Sequence, residues 1–403
     1  MRILLITHYF WPENYRINDL VLGLRDRGHD IEVLTGIPNY PTGEFYEGYG
    51  LGKRRKDDFA GVPVYRTPGV PRGTGSRFRL LLNFLTFPAS AALLGPIYCR
   101  SSYDLIFVYE PSPITTVAPA LVMKTIKRSP VVLWIQDLWP ESLSATGAIT
   151  SPPLLKLVEL GVRLLYKGCD QILVQSRSFF SAVRRLGVDP KLIFYYPNSA
   201  ENLYRPVEVG KDAPERDLFP EGFCITFAGN IGASQDFETI LTAAEKLRDF
   251  NNIHFIILGD GRMRAWVEKE VQRRGLQRSV HLMGRFPAES MPRFFALSDA
   301  LLVTLKKDPV FALTIPSKVQ SYLACGRPVI AALEGEGARI IEESGAGVAC
   351  PAEDPHCLSE AVLRLYTMSS EGRKKMGEKG RDYFERNFER ELLLDRLEGW
   401  MYR

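Results

Sequence analysis

Phe227-Ala228-Gly229-Asn230-Ile231-Gly232 and Leu258-Gly259-Asp260-Gly261-Arg262 are two apolar runs that each break into a glycine turn ahead of helix-length sequence. Glycine lets backbone N–H groups approach a phosphate where the following helix begins. One such turn is ordinary structural punctuation. A third element, Thr314-Ile315-Pro316-Ser317-Lys318, places proline in the opening turn of a helix with a serine and a lysine beside it, a ready anion site. Three such turns in one stretch predict a doubly wound α/β domain with a ligand at its strand ends.

The same rhythm extends in both directions. Strands are predicted at Cys224–Ala228, His254–Leu258, Val280–Met283, Ala300–Val303, Val329–Ala331 and Val348–Cys350, and earlier at Ile3–Thr7, Ile31–Thr35, Leu105–Tyr109, Val131–Ile135, Ile172–Val174 and Leu192–Tyr195. Helices fit between them, such as Ile17–Arg27 ending at Gly28. Polar, proline-bearing sequence interrupts the alternation over 206–222 and reads as a linker. The expectation is α/β throughout: two Rossmann-like doubly wound domains, 1–205 and 223–380, facing a cleft, with a helix over 381–403 packing back on the first.

Composition excludes several classes. The 403 residues are 45% hydrophobic and 24% charged, and a net charge of +4 is too small to argue for nucleic acid. The six cysteines are scattered without a CxxC pair and the five histidines lack ligand spacing, so a reducing cytoplasm and no metal or cofactor are expected. One segment, Arg79–Arg100, is almost free of charge between basic ends but contains Pro88 and Pro96. It reads as a membrane-surface hairpin, with Phe78, Phe84 and Phe87 in the acyl boundary and Arg72, Arg77, Arg79 and the 53–56 basic cluster at anionic headgroups. The alternative is a buried helix pair.

The order FAGN-x-G, LGDGR, HLMGRF, IPSK and ACGRPV resembles the donor half of the large retaining glycosyltransferase family with the GT-B fold, family 4-like. In the first half His8-Tyr9-Phe10-Trp11-Pro12-Glu13, RGHDIEVLTG, GIPNYPTGEFYEGY, WIQDLWPES and YYPN are similar to its WbuB-like subgroup of N-acetyl-L-fucosamine transferases of O-antigen assembly. The resemblance implies an acceptor-side first domain and a donor-side second domain. On the donor side Gly229, Asn230, Gly232 and Gln235 would line the diphosphate with Asp260 and Gly261. Arg262 and Lys318 would neutralise it beside Pro316, Ser317 and Ser321, and Arg285 and Phe286 would edge the base. Asp137 and Glu13 would lie near donor sugar and acceptor. Asp137 reads equally as a helix-start cap, and His8 as a core histidine.

Departures from the family pattern are marked. Its usual glutamate pair would fall at Leu313 and Ser321, leaving Gln320 or Ser321 for the ribose, and Glu13-Asn14-Tyr15 replaces the glycines after the first strand. An acetamido or 6-deoxy sugar on a UDP carrier therefore becomes the expected donor, a co-substrate and not a cofactor. The expected acceptor is a polyprenyl-diphosphate-linked saccharide at the inner face of the cell membrane. Two other readings use the same architecture: a sugar-nucleotide 2-epimerase, and a non-catalytic membrane-bound scaffold.

Overall fold

A computed structural model describes residues 1–145 and 147–401, and they form two compact units. The first comprises Met1–Pro197 and the chain from Leu394 onward; the second is Asn198–Leu393.

In the first unit the strands are β1 (Arg2–Thr7), β2 (Asp30–Thr35), β3 (Lys56–Phe59), β4 (Val62–Arg66), β5 (Leu105–Glu110), β6 (Val131–Ile135), β7 (Gln171–Val174) and β8 (Ile193–Tyr195). They form one sheet in the order β3-β4-β2-β1-β5-β6-β7-β8, parallel except for the β3–β4 pair. Its helices are α1 (Arg16–Asp26), α2 (Arg77–Tyr98), α3 (Val117–Lys127), α4 (Glu141–Ala145), α5 (Pro152–Gly168) and α6 (Arg177–Arg185). The order reverses between β1 and β5, so the crevice beyond the carboxyl ends of these strands is the expected ligand position. β3 and β4 had no counterpart in the sequence reading, and Lys56, assigned there to a headgroup cluster, opens β3.

The segment read as a hairpin is one unbroken helix, α2, running through both prolines. A proline at position 88 leaves the carbonyl of Phe84 without its helical partner. The hydroxyl of Thr115 supplies the missing hydrogen bond at 2.7 Å. Phe87 is also not a lipid-facing residue: it is 1% exposed and stacks on His8, ring centroids 4.5 Å apart.

The second unit carries β9 (Phe223–Ala228), β10 (Ile253–Leu258), β11 (Val280–Gly284), β12 (Ala300–Thr304), β13 (Val329–Ala332) and β14 (Gly347–Cys350), all parallel, ordered β11-β10-β9-β12-β13-β14. Its helices are α7 (Phe237–Lys246), α8 (Arg264–Arg273), α9 (Met291–Leu297), α10 (Pro309–Leu313), α11 (Ser317–Ala324), α12 (Glu336–Ser344), α13 (Pro355–Thr367) and α14 (Ser370–Asn387). The strand period of two sends Phe223, Ile225 and Phe227 to one apolar layer and Cys224 and Ala228 to the other, so both faces are covered. Here the order reverses between β9 and β12.

Two boundaries differ from the sequence reading. The stretch 206–222 is packed within the second unit, where Phe219 stacks on Phe294 and Glu215 pairs with Arg293 at 3.2 Å. The helix expected over 381–403 is divided between the end of α14 and α15 (Arg390–Met401), and residues 402 and 403 lie outside the described residues. From Leu394 the chain belongs to the first unit: Glu398 binds Arg27 at 2.7 Å and His29 at 2.8 Å, and Trp400 packs on Phe194.

Candidate active site

In the second unit the turns after β9 and β10 interlock through their backbones. Gly229 N–H donates to the carbonyl of Leu258, Ile231 N–H to that of Asp260, and Met263 N–H to that of Ile231, all within 3.0 Å. Both turn glycines have positive φ, +138° at Gly229 and +141° at Gly259, and a Cβ on Gly259 would lie 1.9 Å from the Gly229 carbonyl oxygen. Only glycine permits this approach. Gly229, Asn230, Gly259, Asp260, Arg285 and Phe286 line a cleft of about 280 Å³.

Lys318 reaches the same turn from the second residue of α11. Its Nζ lies 4.4 Å from the centroid of Phe227, and its ammonium donates to the side-chain oxygen of Gln235. A Cβ on Gly229 would meet the Lys318 chain at 2.8 Å, so this glycine also makes room for the lysine. Burial pushes the ammonium down to about 8. The Gln235 loop is held to the β12 end by Thr304, whose hydroxyl donates to the Gln235 carbonyl, and by Lys306 N–H to Ser234 at 2.9 Å. The turns, Gln235 and Lys318 therefore gather at the point where the strand order reverses.

Other assigned residues differ in their exposure and partners. Arg262 is exposed and is not among the residues lining this cleft. Pro316 precedes the helix as its cap, Ser317 is exposed, and Arg285 is exposed at the rim. Phe286 is half-buried against Phe294, ring centroids 4.6 Å apart. Ser321 is 7% exposed and donates back to the Ser317 carbonyl, and the amide of Gln320 donates to the Asn198 carbonyl, so both side chains are engaged inside the fold. Phe227, Thr304 and Lys306 escaped the sequence reading; position at or just beyond a strand end was the available signal. A larger cavity of about 450 Å³, against Asp299, Arg327 and Arg373, contains none of the assigned residues.

In the first unit Glu13, expected near donor sugar and acceptor, is held by backbone donors. Its carboxylate accepts from the backbone N–H groups of Asn39 (2.8 Å), Tyr40 (2.7 Å) and Phe10 (3.2 Å), tying the turn after β1 to the loop after β2. Burial pushes it up to about 7 against the pull of these donors. Around it Tyr9 stacks on His8 and on Tyr15 at 4.4 and 5.4 Å, and the Arg72 guanidinium lies 5.4 Å from the centroid of Tyr40. His8 is buried and pushed down to about 3, hence neutral.

Asp137, at the turn after β6, accepts from the Ser142 hydroxyl in the first turn of α4. It is also raised, first by burial. Glu110, at the end of β5, is fully buried, its oxygens have no hydrogen-bond partner, and burial followed by the charge of Asp137 raises it well above the usual carboxylate range. The burial of Glu110 could not be read from the sequence. Both carboxyls are thus raised chiefly by burial at neighbouring strand ends, and Glu110 further by the charge of Asp137.

Residues 14–199 match the family model described as glycosyl transferase 4-like domain, and residues 211–383 match glycosyl transferases group 1. WcaI of Escherichia coli (strain K12), described as a colanic acid biosynthesis glycosyl transferase, is 26% identical over 98% of both chains. WbjE of Pseudomonas aeruginosa, described as a glycosyltransferase, is 27% identical over 66% of each. The structure of HepE from Anabaena, determined in complex with UDP, superposes with a TM-score of 0.72 over the whole of both chains at 15% identity. The chain thus carries, in order, the glycosyl transferase 4-like and group 1 domains of a GT-B-fold glycosyltransferase.

Proposed function

We propose that the protein transfers a sugar from a UDP-linked donor to a polyprenyl-diphosphate-linked saccharide at the cytoplasmic face of the membrane, in assembly of a cell-surface polysaccharide such as O-antigen. The observation that carries this reading is the cradle of Gly229, Gly259 and Gly261 with Lys318 beside it. WcaI supports the polysaccharide setting and HepE the uridine carrier. An acetamido or 6-deoxy sugar, as in the WbuB-like subgroup, remains our reading of the donor.

Cleavage of the bond between sugar C1 and the diphosphate oxygen develops negative charge on the departing UDP. Lys318 stabilises that charge more in the transition state than before it. The acceptor hydroxyl bonds to C1 as its proton passes to the leaving phosphate, with retention of configuration. Because Lys318 carries the charge, we expect transfer without a metal ion.

The test is a thermal-shift screen of nucleoside diphosphates, followed by transfer assays from the matching sugars to polyprenyl-diphosphate acceptors with and without chelator. UDP should stabilise the protein most, and chelator should not slow transfer. Failure of every UDP-sugar to react would reject the reading, and donor turnover without acceptor would favour the epimerase.

A further inference from the structure

Eleven of the sixteen exposed large apolar side chains among the described residues belong to three helices of the first unit. On α2 they are Phe78, Leu81, Leu85, Leu93 and Ile97; on α3, Val122 and Ile126; on α5, Leu154, Leu157, Leu160 and Leu164. The helices are neighbours. Gly95 of α2 sits close to Met123 of α3, Gly168 of α5 sits against Leu121 of α3, and Lys124 Nζ donates to the Gly168 carbonyl at 2.9 Å. The face is therefore continuous, and too large for a surface meant to stay in water.

Its charge is one-sided. Over 77–100, 117–128 and 152–168 there are nine lysines and arginines and one acidic residue, Glu159, which pairs with Arg163. α2 is long and apolar enough to cross a bilayer. Its other side, however, carries Asn83, Phe87, Ala91 and Gly95 buried in the unit, where Tyr9 Oη donates to Asn83 at 3.2 Å and Phe84 packs edge-on to Trp139. A helix held on that side lies along a membrane and does not span it.

We propose that the α2–α3–α5 face seats the protein on an anionic bilayer, with α2 as the wall shared between the lipid and the aromatic cluster of His8, Tyr9 and Trp139. This rests on the lipid-linked acceptor only for its purpose; the surface itself stands on exposure and charge. An acceptor whose polyprenyl tail stays in the bilayer would present its sugar along the amino-terminal half of α2. The notable addition to the sequence reading is α5, whose leucines recur at helical spacing on its outer side.

The probe is vesicle flotation, with phosphatidylglycerol and phosphatidylcholine in equal parts against phosphatidylcholine alone. The wild type should float with the anionic vesicles and release as salt rises. Leu157→Glu with Leu160→Glu should lower binding by about tenfold or more with an unchanged melting temperature, since both side chains are exposed already. Lys156→Glu with Lys167→Glu should weaken anionic binding while sparing the apolar face. Transfer to a soluble short-chain acceptor should be unaffected in both variants, and transfer to vesicle-embedded acceptor should fall.

Wild type that stays unbound to anionic vesicles overturns the proposal. So does a dimer in solution that the leucine changes dissociate, which would make the face a contact between copies. If no sugar is transferred to any acceptor but flotation behaves as stated, the membrane seat stands and the enzymatic reading fails.

Discussion

The turns after β1 and after β9 occupy the same place in two sheets of related topology, yet they are built from opposite materials. After β9 the chain is nearly bare backbone: Gly259 lies so close to the Gly229 carbonyl that it tolerates no Cβ, Gly229 leaves room for the Lys318 chain, and the two turns are tied N–H to carbonyl. After β1 there is no glycine before Gly23, and the carboxylate of Glu13 gathers three N–H groups while tyrosines stack around it. A backbone cradle suits a small, invariant anion such as a diphosphate. A side-chain surface of aromatic rings and an arginine suits a partner with apolar faces and hydroxyls, and it can vary without disturbing the cradle. On the proposed reading the fold would keep the anion cradle apart from the side chains that set specificity.

The strongest test of this contrast is Lys318→Ala. With the true donor, kcat should fall by about 2–4 kcal/mol of barrier while donor KM changes less, because leaving-group charge grows toward the transition state. The fold should persist, since removing a cation that burial disfavours relieves a desolvation cost, and near-wild-type kcat would remove the lysine from the site. Gly259→Ala should cost at least about 2 kcal/mol of stability and abolish UDP binding, since the new Cβ meets backbone and φ is positive. Retention of UDP-induced stabilisation in that variant would break the idea of a backbone cradle.

The side-chain-built turn predicts a pH signature instead. Glu13 is pushed up to about 7 in the folded protein, above its unfolded value, so its contribution is fully present below the unfolded value and is lost as pH rises through about 7. Glu13→Gln should flatten the dependence of unfolding free energy on pH between about 5 and 7, by up to about 1.4 kcal/mol per pH unit. Equal slopes in variant and wild type would show that the three donors keep the carboxylate ionised. The smallest effect is expected at Thr115→Val, which strips the Phe84 carbonyl of its donor and should lower stability by about 1 kcal/mol in chemical denaturation.

Legibility followed burial. Strands such as Ile253–Leu258, buried along their whole length, announce themselves as apolar runs, and each one expected from the sequence is present. Lys56-Asp57-Asp58-Phe59 is a charged edge strand with one neighbour, and nothing in its composition separates it from a loop. The course of α2 depended on a hydroxyl at Thr115 contributed by the next element, a tertiary fact that local proline rules cannot contain. The meeting of Gly229 and Lys318 was legible because a glycine at a strand end and a lysine at a helix start carry position in their residue type. The backbone partners of Glu13 and Ser321 were not, because a carboxylate or hydroxyl looks the same whether it faces a ligand or satisfies its own backbone.

Lys318 carries one more consequence. With its proton held only to about 8, the lysine is partly neutral in mildly alkaline solution until an anion arrives. On the proposed reading a diphosphate beside it would restore the full charge, and the complex would take up a fraction of a proton from the buffer above neutrality. The heat of UDP binding should therefore depend on the ionisation enthalpy of the buffer chosen, and affinity should decline as the solution is made more alkaline, a calorimetric fingerprint of one side chain that needs no turnover to be seen.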